Sequence, residues 1–440
     1  MTVIELGEVS SSEPELPAPP EPPLRMRDVR WIGLTAAFLL CLLMVTGGAV
    51  PEPRGLRTLW SMPYDSQPFT LAGDRLYLHR AGAAPALEAL DAATGKVLWS
   101  HPLDRPIEWV HTMVPGIVML PVLADQADGS STVQDLIALD AATGRTLWQQ
   151  RGEPAFGDER GLVMSDWNPA ANLITRLRMI RPSDGAELWS LKPAQPISSW
   201  TASGGADPNR PEWFATVTDA GHVERRRTSD GSLIGVGTVP WLVTKPDDNS
   251  DDYAYLHAAA GVLFSVRLKN STQTMTAFDV GTMRQIWTWT GDGRGGSFDC
   301  GGLLCIGDRP GVQAVDPATG RTVWTSPGWD FARPLDATRM LYQSNRDTNQ
   351  GVLDARTGKI LTTFPPGMMA VDDDRGDVVL LTFTMETPTE MAVYRLVDDR
   401  LELRGGTGGS TDQGCQLANS RLVCMMGYSN DHTLVVKAVG

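Results

Sequence analysis

Short runs of alternating apolar and polar residues fill most of the chain, and they predict β-strands. One such run, Leu136–Leu139, ends at Asp140, and the next run begins at Arg145 after a turn that contains Gly144. The aspartate can accept hydrogen bonds from the turn amides, and glycine adopts the positive φ that a short hairpin loop needs. No amphipathic helical period separates these runs. The pattern therefore predicts an all-β fold built from antiparallel hairpins.

This hairpin recurs along the chain as a nonapeptide that begins with aspartate and ends with tryptophan. Successive copies begin 37 to 52 residues apart, which suits one four-stranded blade of a propeller. The close copies are Asp91–Trp99, Asp140–Trp148 and Asp316–Trp324, the weaker ones are Arg181–Trp189, Asp279–Trp287 and Asp354–Thr362, and the degenerate ones are Arg227–Gly235 and Leu396–Glu402.

The D-A-x-T-G-x-x-L-W pattern resembles the PQQ-like repeat of quinoprotein dehydrogenases and of the propeller lipoprotein of outer-membrane protein assembly. The resemblance covers nearly all of residues 56–440 and implies an eight- or nine-bladed β-propeller of four-stranded antiparallel blades. It also implies that strand-end tryptophans dock between neighbouring blades against turn glycines, as core rather than as ligand contacts. The residues in these positions are Trp60, Trp99, Trp148, Trp189, Trp287 and Trp324, with Gly95, Gly144, Gly185 and Gly320.

The two ends of the repeat region predict how the ring closes. Leu56–Pro63 is similar to Lys96–Pro102, so Trp60 lies in an outer strand whose blade lacks its first three strands. Three C-terminal strands are predicted at Gly414–Leu417, Arg421–Met426 and Thr433–Val439. Joining them to the first strand would complete one blade and cover both open edges.

The N-terminal part of the chain predicts a membrane anchor. Residues 1–30 are rich in proline and glutamate and are expected to be a disordered cytoplasmic tail. Residues 31–50 carry no charge and are long enough to cross a bilayer as one helix, followed by a linker at 51–55 and the propeller at 56–440. Arg25, Arg27 and Arg30 place the tail in the cytoplasm and the propeller outside the cell membrane. A cleaved signal peptide with a site at Gly47–Ala49 is the alternative.

Charge and cysteine usage narrow the class of partner and the compartment. The formal net charge of −14 disfavours nucleic acid as a partner. Cys41 lies in the predicted membrane helix, and the other four cysteines form two local pairs. We expect structural disulfides Cys300–Cys305 and Cys415–Cys424 on adjoining antiparallel strands, which suits an oxidising exterior, although four cysteines allow three pairings.

The sequence supports no catalytic, cofactor-binding or metal-binding residue. The histidines are scattered without an HExxH motif, and no two cysteines are adjacent as many quinoprotein dehydrogenases require. A calcium-binding set of Glu, Asn and Asp cannot be aligned, so PQQ binding is disfavoured and no cofactor is predicted. Gly291–Gly296 fits G-x-G-x-x-G but opens no helix, and Asp247–Asp252 departs from an EF-hand loop.

These observations favour a binding or scaffolding module of the cell envelope over an enzyme. Its expected partners are envelope or membrane proteins. The insertion at Val239–Gly261 and the loop at Ala124–Thr132 are candidate contact segments. The alternative is a membrane-bound quinoprotein-type dehydrogenase or a hydrolase with its site in the propeller channel.

Overall fold

The computed structural model describes a part of the chain that lies within a single unit, Pro53–Gly440. The described residues are 56–439, without 65–68, 83, 106, 108, 126–130, 169–172, 204–210, 243–251, 293–295, 309–310, 328–330, 337, 344–349, 373–376, 384–389, 409–414 and 428–431. The predicted tail (1–30), membrane helix (31–50) and linker (51–55) therefore lie outside the described residues. Within the described ranges, no helix has the length and apolar character needed to cross a membrane.

The described elements are all β-strands, as the alternating pattern predicts, and the all-β fold is confirmed. The strands are β1 (Leu56–Tyr64), β2 (Phe69–Ala72), β3 (Arg75–Arg80), β4 (Ala86–Asp91), β5 (Val97–Pro102), β6 (Ile117–Asp125), β7 (Ser131–Asp140), β8 (Thr146–Arg151), β9 (Glu153–Asp158), β10 (Gly161–Asn168), β11 (Leu173–Ile180), β12 (Glu187–Leu191), β13 (Ile197–Ser203), β14 (Trp213–Thr218), β15 (His222–Arg227), β16 (Leu233–Thr238), β17 (Tyr253–Ala259), β18 (Val262–Lys269), β19 (Thr272–Asp279), β20 (Gln285–Asp292), β21 (Ser297–Cys300), β22 (Leu303–Asp308), β23 (Gly311–Val315), β24 (Thr322–Pro327), β25 (Phe331–Pro334), β26 (Arg339–Gln343), β27 (Gln350–Asp354), β28 (Ile360–Phe364), β29 (Met368–Asp372), β30 (Asp377–Phe383), β31 (Glu390–Val397), β32 (Arg400–Gly408), β33 (Cys415–Ala418), β34 (Arg421–Met426) and β35 (His432–Val439).

Most of these strands form four-stranded antiparallel meanders. The first sheet is β2–β5, the second β6–β8, the fifth β17–β20, the sixth β21–β24, the seventh β25–β28 and the eighth β29–β32. The third sheet (β9–β12) and the fourth (β13–β16) share one hydrogen-bonded array, which the single pair Ile174↔Ile197 connects. The closing sheet has the order β1-β35-β34-β33.

The closing sheet joins the two ends of the propeller, and this prediction is confirmed. Strand β1 pairs with β35 from Leu56↔Val439 to Tyr64↔His432. At the inner end, the Gln416 side chain accepts a hydrogen bond from Leu71 N (2.7 Å) and donates one to Phe69 O (2.8 Å). The inner edge of β2 thus receives its hydrogen bonds from a side chain of the closing sheet.

The hydrophobic core lies between neighbouring sheets rather than at the centre of the ring. Between the first and second sheets, Tyr77 and Leu87 are buried against Val118 and Leu120. Between the closing and first sheets, buried side chains of the two sheets pack in the same way. Each sheet therefore buries both faces, which explains why second strands such as β22 and β34 are nearly continuous apolar runs.

Two details differ from the sequence predictions. Four strands per repeat is wrong for the second sheet, where the bridges Ile107↔Val122 and His111↔Met119 stand in for a regular first strand. The long insertion predicted at Val239–Gly261 is wrong in part, because Tyr253–Ala259 pairs with β18 as the first strand of the fifth sheet. Residues 243–251 and 126–130 of the two candidate contact segments lie outside the described residues.

We predict that Gln416→Leu weakens ring closure. The substitution removes two hydrogen bonds to the edge of β2 and leaves Leu71 N and Phe69 O without those partners, which costs about 1–2 kcal/mol in unfolding free energy. The measurement is the urea midpoint of the full chain. The control is Gln149→Leu on the exposed side of β8, and this substitution should change the midpoint little. Equal effects of the two substitutions would contradict the bridging role.

Candidate functional site: sheet joints and a charged cavity

The repeated turn is built around its first aspartate. The Asp140 carboxylate accepts hydrogen bonds from Ala142 N (3.1 Å), Thr143 N (2.8 Å) and Thr143 Oγ1 (2.8 Å), and Gly144 N donates to Asp140 O (2.8 Å). The Thr143 hydroxyl, followed by the turn amides, holds the pKa of Asp140 below its ordinary value. The same bonds form around Asp91 and Asp354. The repeat motif thus encodes a preformed turn with a fixed charge.

An indole ring of the preceding sheet lies flat against each such turn. The Trp99 ring packs on Gly144, where a Cβ would lie 2.5 Å from Trp99 Cε3, and Trp99 Nε1 donates to Ala141 O at 3.0 Å. Gly144 has φ +70°, so both its conformation and its missing side chain are required here. Each joint therefore combines a buried aromatic face with a hydrogen bond that fixes the angle between two sheets.

Six joints of this kind are present among the described residues. The ring–glycine pairs are Trp60–Gly95, Trp99–Gly144, Trp148–Gly185, Trp189–Gly231, Trp287–Gly320 and Trp324–Gly358. The corresponding indole acceptors are the carbonyls of Ala92, Ala141, Pro182, Thr228, Pro317 and Ala355, at 2.6–3.1 Å. Sequence reasoning did not name Gly231 and Gly358. The fifth position of the copies that begin at Arg227 and Asp354 could have identified them.

The joint between the fourth and fifth sheets exchanges the large and small residues. Gly235 holds the tryptophan position, opposite Arg225, and Met283 holds the glycine position of the next turn. Met283 has φ +55° and is buried, and a Cβ on Gly237 would lie 2.7 Å from Met283 Cβ. The methionine side chain therefore packs against Gly237, two residues beyond the tryptophan position, while the Arg225 side chain lies nearest to Gly235.

The last two joints also lack a tryptophan. Gly405 stands opposite Val393 at the tryptophan position of the eighth sheet, and a Cβ there would lie 2.8 Å from Leu56 Cβ. Thr362 holds the corresponding position of the seventh sheet, opposite Val352. A residue of the first strand thus fills the space at the joint where the ring closes.

Two disulfides join adjacent strands, and both predicted pairings are confirmed. Cys300–Cys305 links the end of β21 to β22, with the Cα atoms 5.7 Å apart. Cys415–Cys424 links directly opposite residues of β33 and β34, with the Cα atoms 4.3 Å apart. Such cross-strand positions satisfy the distance that a disulfide requires.

A cavity of about 1020 Å³ lies beside the first strands of several sheets and the turns that follow those strands. Its wall comes from the closing, first, second, third, seventh and eighth sheets. The apolar part includes Leu71, Met113, Ile117, Leu341, Met369 and Val371. The charged part consists of Arg75, Asp158, Glu159 and Arg333. A wall of this composition can hold an apolar chain that carries a charged group.

The partly buried Arg75 and the buried Tyr77 lie side by side in the cavity wall. The Arg75 side chain hydrogen-bonds the Tyr77 hydroxyl, and burial raises the pKa of that phenol above its ordinary value. Tyr77 in turn lies beside Trp99, with ring centroids 5.9 Å apart. The cation in the cavity is therefore held by the joint between the first and second sheets.

The described side chains do not fit a calcium-bound quinone. Across the described part of the chain, no three His, Cys, Asp or Glu side chains converge in a way that could hold a metal ion. The cysteines nearest the cavity are Cys415 and its disulfide partner Cys424, which are not adjacent in sequence. The Asp158 carboxylate already accepts a hydrogen bond from Arg160 N at 2.8 Å.

Meandering sheets that stack through indole–glycine joints define a β-propeller of PQQ-like repeats. The chain belongs to the family whose model is described as outer membrane protein assembly factor BamB, which matches residues 49–288, more than half of its length. No curated protein matches the chain.

Solved structures resemble this chain at low sequence identity. BamB from Moraxella catarrhalis is 13% identical, with 87% of this chain and 97% of that chain covered and a TM-score of 0.42. A eukaryotic initiation factor is 9% identical, with 83% and 93% covered and a TM-score of 0.54. A europium-containing methanol dehydrogenase is 12% identical, with 87% and 93% covered and a TM-score of 0.41. The likeness to the initiation factor concerns the fold alone.

We predict that Gly144→Ala destabilises the chain more than Gly116→Ala. Both glycines have positive φ, so each alanine introduces backbone strain of about 1–2 kcal/mol. Only the Cβ at Gly144 meets the Trp99 ring, whereas the space around Gly116 is open, so overpacking adds about 1–3 kcal/mol at Gly144 alone. The difference between the two urea midpoints measures the joint, and equal midpoints would count against it.

We predict that the exchanged joint can be converted to the ordinary one. Met283→Gly leaves a cavity beside Gly237 and costs about 1–3 kcal/mol, and Gly235→Trp alone adds an indole that must fit between the Arg225 side chain and the turn that carries Met283, at a similar cost. The double variant restores an indole over a glycine, so it should be more stable than the sum of the single effects by more than about 1 kcal/mol. Additive single effects in a double-mutant cycle would show that Met283 does not occupy the tryptophan's place.

Proposed function

We propose that this chain is a membrane-anchored extracytoplasmic β-propeller that binds other proteins of the cell envelope as a scaffold. The observation that carries the proposal is the match of residues 49–288 to the family model of an outer membrane protein assembly factor. A scaffold needs a rigid body with exposed binding surface, and it needs no chemical site.

The proposed ring has nine blades. Nine buried apolar clusters occur among the described residues, and each lies between two sheets that follow one another around the ring. Counting the third and fourth sheets separately also yields nine units, because only Ile174↔Ile197 connects them. Both counts support nine blades rather than eight.

The proposed topology has three parts before the propeller. Residues 1–30 are the cytoplasmic tail, residues 31–50 are the membrane helix and residues 51–55 are the linker to the propeller. The support is the uncharged stretch of twenty residues and the arginines before it. Two disulfides outside this stretch agree with an oxidising compartment.

The outermost strands supply an apolar binding surface. Apolar side chains that are 39–53% exposed lie on the fourth strands of several sheets, namely Val97, Leu98, Leu188, Leu233, Val236, Ile286, Val323, Ile360, Leu361 and Leu403. These strands are also sheet edges, which offer backbone hydrogen-bonding groups to a partner. Exposed apolar side chains on an unpaired sheet edge favour a protein-binding role.

We predict that a photo-crosslinking residue at Leu233 or Val236 forms adducts with a limited set of envelope proteins in living cells. Leu233 and Val236 are 49% and 53% exposed on one edge strand, so neither substitution should disturb the core. The control is the same residue at Lys269, an exposed end of β18. Identical adducts at all three positions would contradict a specific surface, and adducts with cytoplasmic proteins would contradict the proposed location.

A further inference from the structure

Three of the described sheets begin their second strand with an arginine, which makes an internal comparison possible. Arg75 begins β3, Arg339 begins β26 and Arg421 begins β34. The register places Arg75 opposite Asp91 and Arg339 opposite Asp354, the first aspartates of their own repeats. The three arginines therefore occupy equivalent places at the turn face of the ring.

Two of these arginines are neutralised by the next sheet. The Arg421 guanidinium pairs with the Asp74 carboxylate of the first sheet, and this hydrogen bond lowers the pKa of Asp74. Arg339 Nη1 lies 2.6 Å from Asp399 Oδ1 of the eighth sheet, and Arg339 Nε lies 2.6 Å from Asp336 Oδ2. Each cation thus has its anion across a sheet junction.

Arg75 has no such anion among the described residues. The second sheet presents Pro115 and Gly116 at the turn where the first sheet presents Gly73 and Asp74. The Asp140 carboxylate of the second sheet is held by its own turn. Arg75 Nε is buried and has no hydrogen-bond acceptor. The Arg75 side chain hydrogen-bonds the phenol of Tyr77, which is neutral. A partly buried cation without a counter-charge is costly unless something supplies one.

The space in front of Arg75 is the cavity of about 1020 Å³. This volume holds several residues of a peptide, and the apolar wall around Leu71 and Ile117 suits aliphatic side chains. Asp158 and Glu159 on the third sheet disfavour a dianion such as phosphate. A single guanidinium fork matches the geometry of one carboxylate.

We propose that Arg75 anchors a carboxylate of a peptide segment that enters this cavity from a protein partner. The carboxylate comes either from an acidic side chain or from a chain terminus, and it takes the place that Asp74 has beside Arg421 and Asp399 has beside Arg339. Flanking aliphatic residues of the peptide cover the apolar wall. The proposal rests on the proposed protein-binding role and specifies the chemistry of one binding site.

The test uses the full chain in detergent and three synthetic peptides in isothermal titration calorimetry. The first peptide is acetyl-Gly-Leu-Ala-Leu with a free C-terminal carboxylate, and the second is acetyl-Gly-Leu-Glu-Leu amide. The third is acetyl-Gly-Leu-Ala-Leu amide, which carries no carboxylate. We expect at least one of the first two to bind at least tenfold more tightly than the third, because only they can pair with Arg75. Which of them binds identifies the source of the carboxylate.

Variants assign the binding to Arg75. Arg75→Gln should weaken the carboxylate peptide by about tenfold or more, and Arg75→Lys should retain part of the affinity because it keeps the charge without the fork. The matched control is Arg421→Gln, which removes the equivalent arginine but leaves Arg75, and it should leave peptide affinity unchanged. The thermal midpoint and near-ultraviolet circular dichroism of each variant show that it is folded.

Three results would overturn the proposal. They are no binding of either carboxylate peptide, equal binding of the amide peptide, or an affinity that Arg75→Gln does not change. Inorganic phosphate alone is the fourth titration, and phosphate that binds as tightly as the peptides would show a general anion site instead. Failure here leaves the crosslinking at Leu233 and Val236 intact, so it is distinguishable from failure of the scaffold role.

Discussion

The contact between an indole face and a turn glycine is the constraint on which the ring depends. A Cβ at Gly144 would lie 2.5 Å from the Trp99 ring, so the two sheets can approach this closely only where the side chain is missing. The indole N–H then reaches a turn carbonyl at 3.0 Å, which sets the orientation as well as the distance. A ring of sheets closes only if every such angle is nearly the same, and a repeated hydrogen-bonded joint achieves this without long-range information.

The feature common to the joints of this chain is a filled space between the two sheets, not a particular pair of residues. At the fourth and fifth sheets the large residue has moved from the strand to the turn, where Met283 accepts a positive φ. At the closing joint Leu56 occupies the space beside Gly405. Dense packing explains both cases, because an unfilled gap between sheets would forfeit contacts on two buried faces at once. The ring therefore tolerates degenerate repeats as long as each junction remains filled.

The sequence predicts the parts of this structure that are local and repeated. The turn aspartates, the tryptophans and the closing strands follow from one nonapeptide and its spacing, because each copy carries its own hydrogen-bonding groups. Met283 was not predictable in this way, since its role depends on Gly235 in a different repeat. Strand β17 was missed because its alternating tyrosines lie in a long segment without a repeat motif. The cavity was missed for a similar reason: its charges come from turns that lie far apart in the chain and meet only when the ring closes.

The same architecture separates stability from recognition. Buried apolar clusters and joints between sheets hold the ring, whereas the turns that join first and second strands and the outer edges lie outside these joints. The three equivalent arginines show how such a change arises. Asp74 and Asp399 neutralise Arg421 and Arg339, but the second sheet has Pro115 and Gly116 at the corresponding turn and leaves Arg75 facing the cavity. Because a paired charge in a junction contributes to rigidity and an unpaired one attracts a ligand, one changed turn converts a structural position into a binding position.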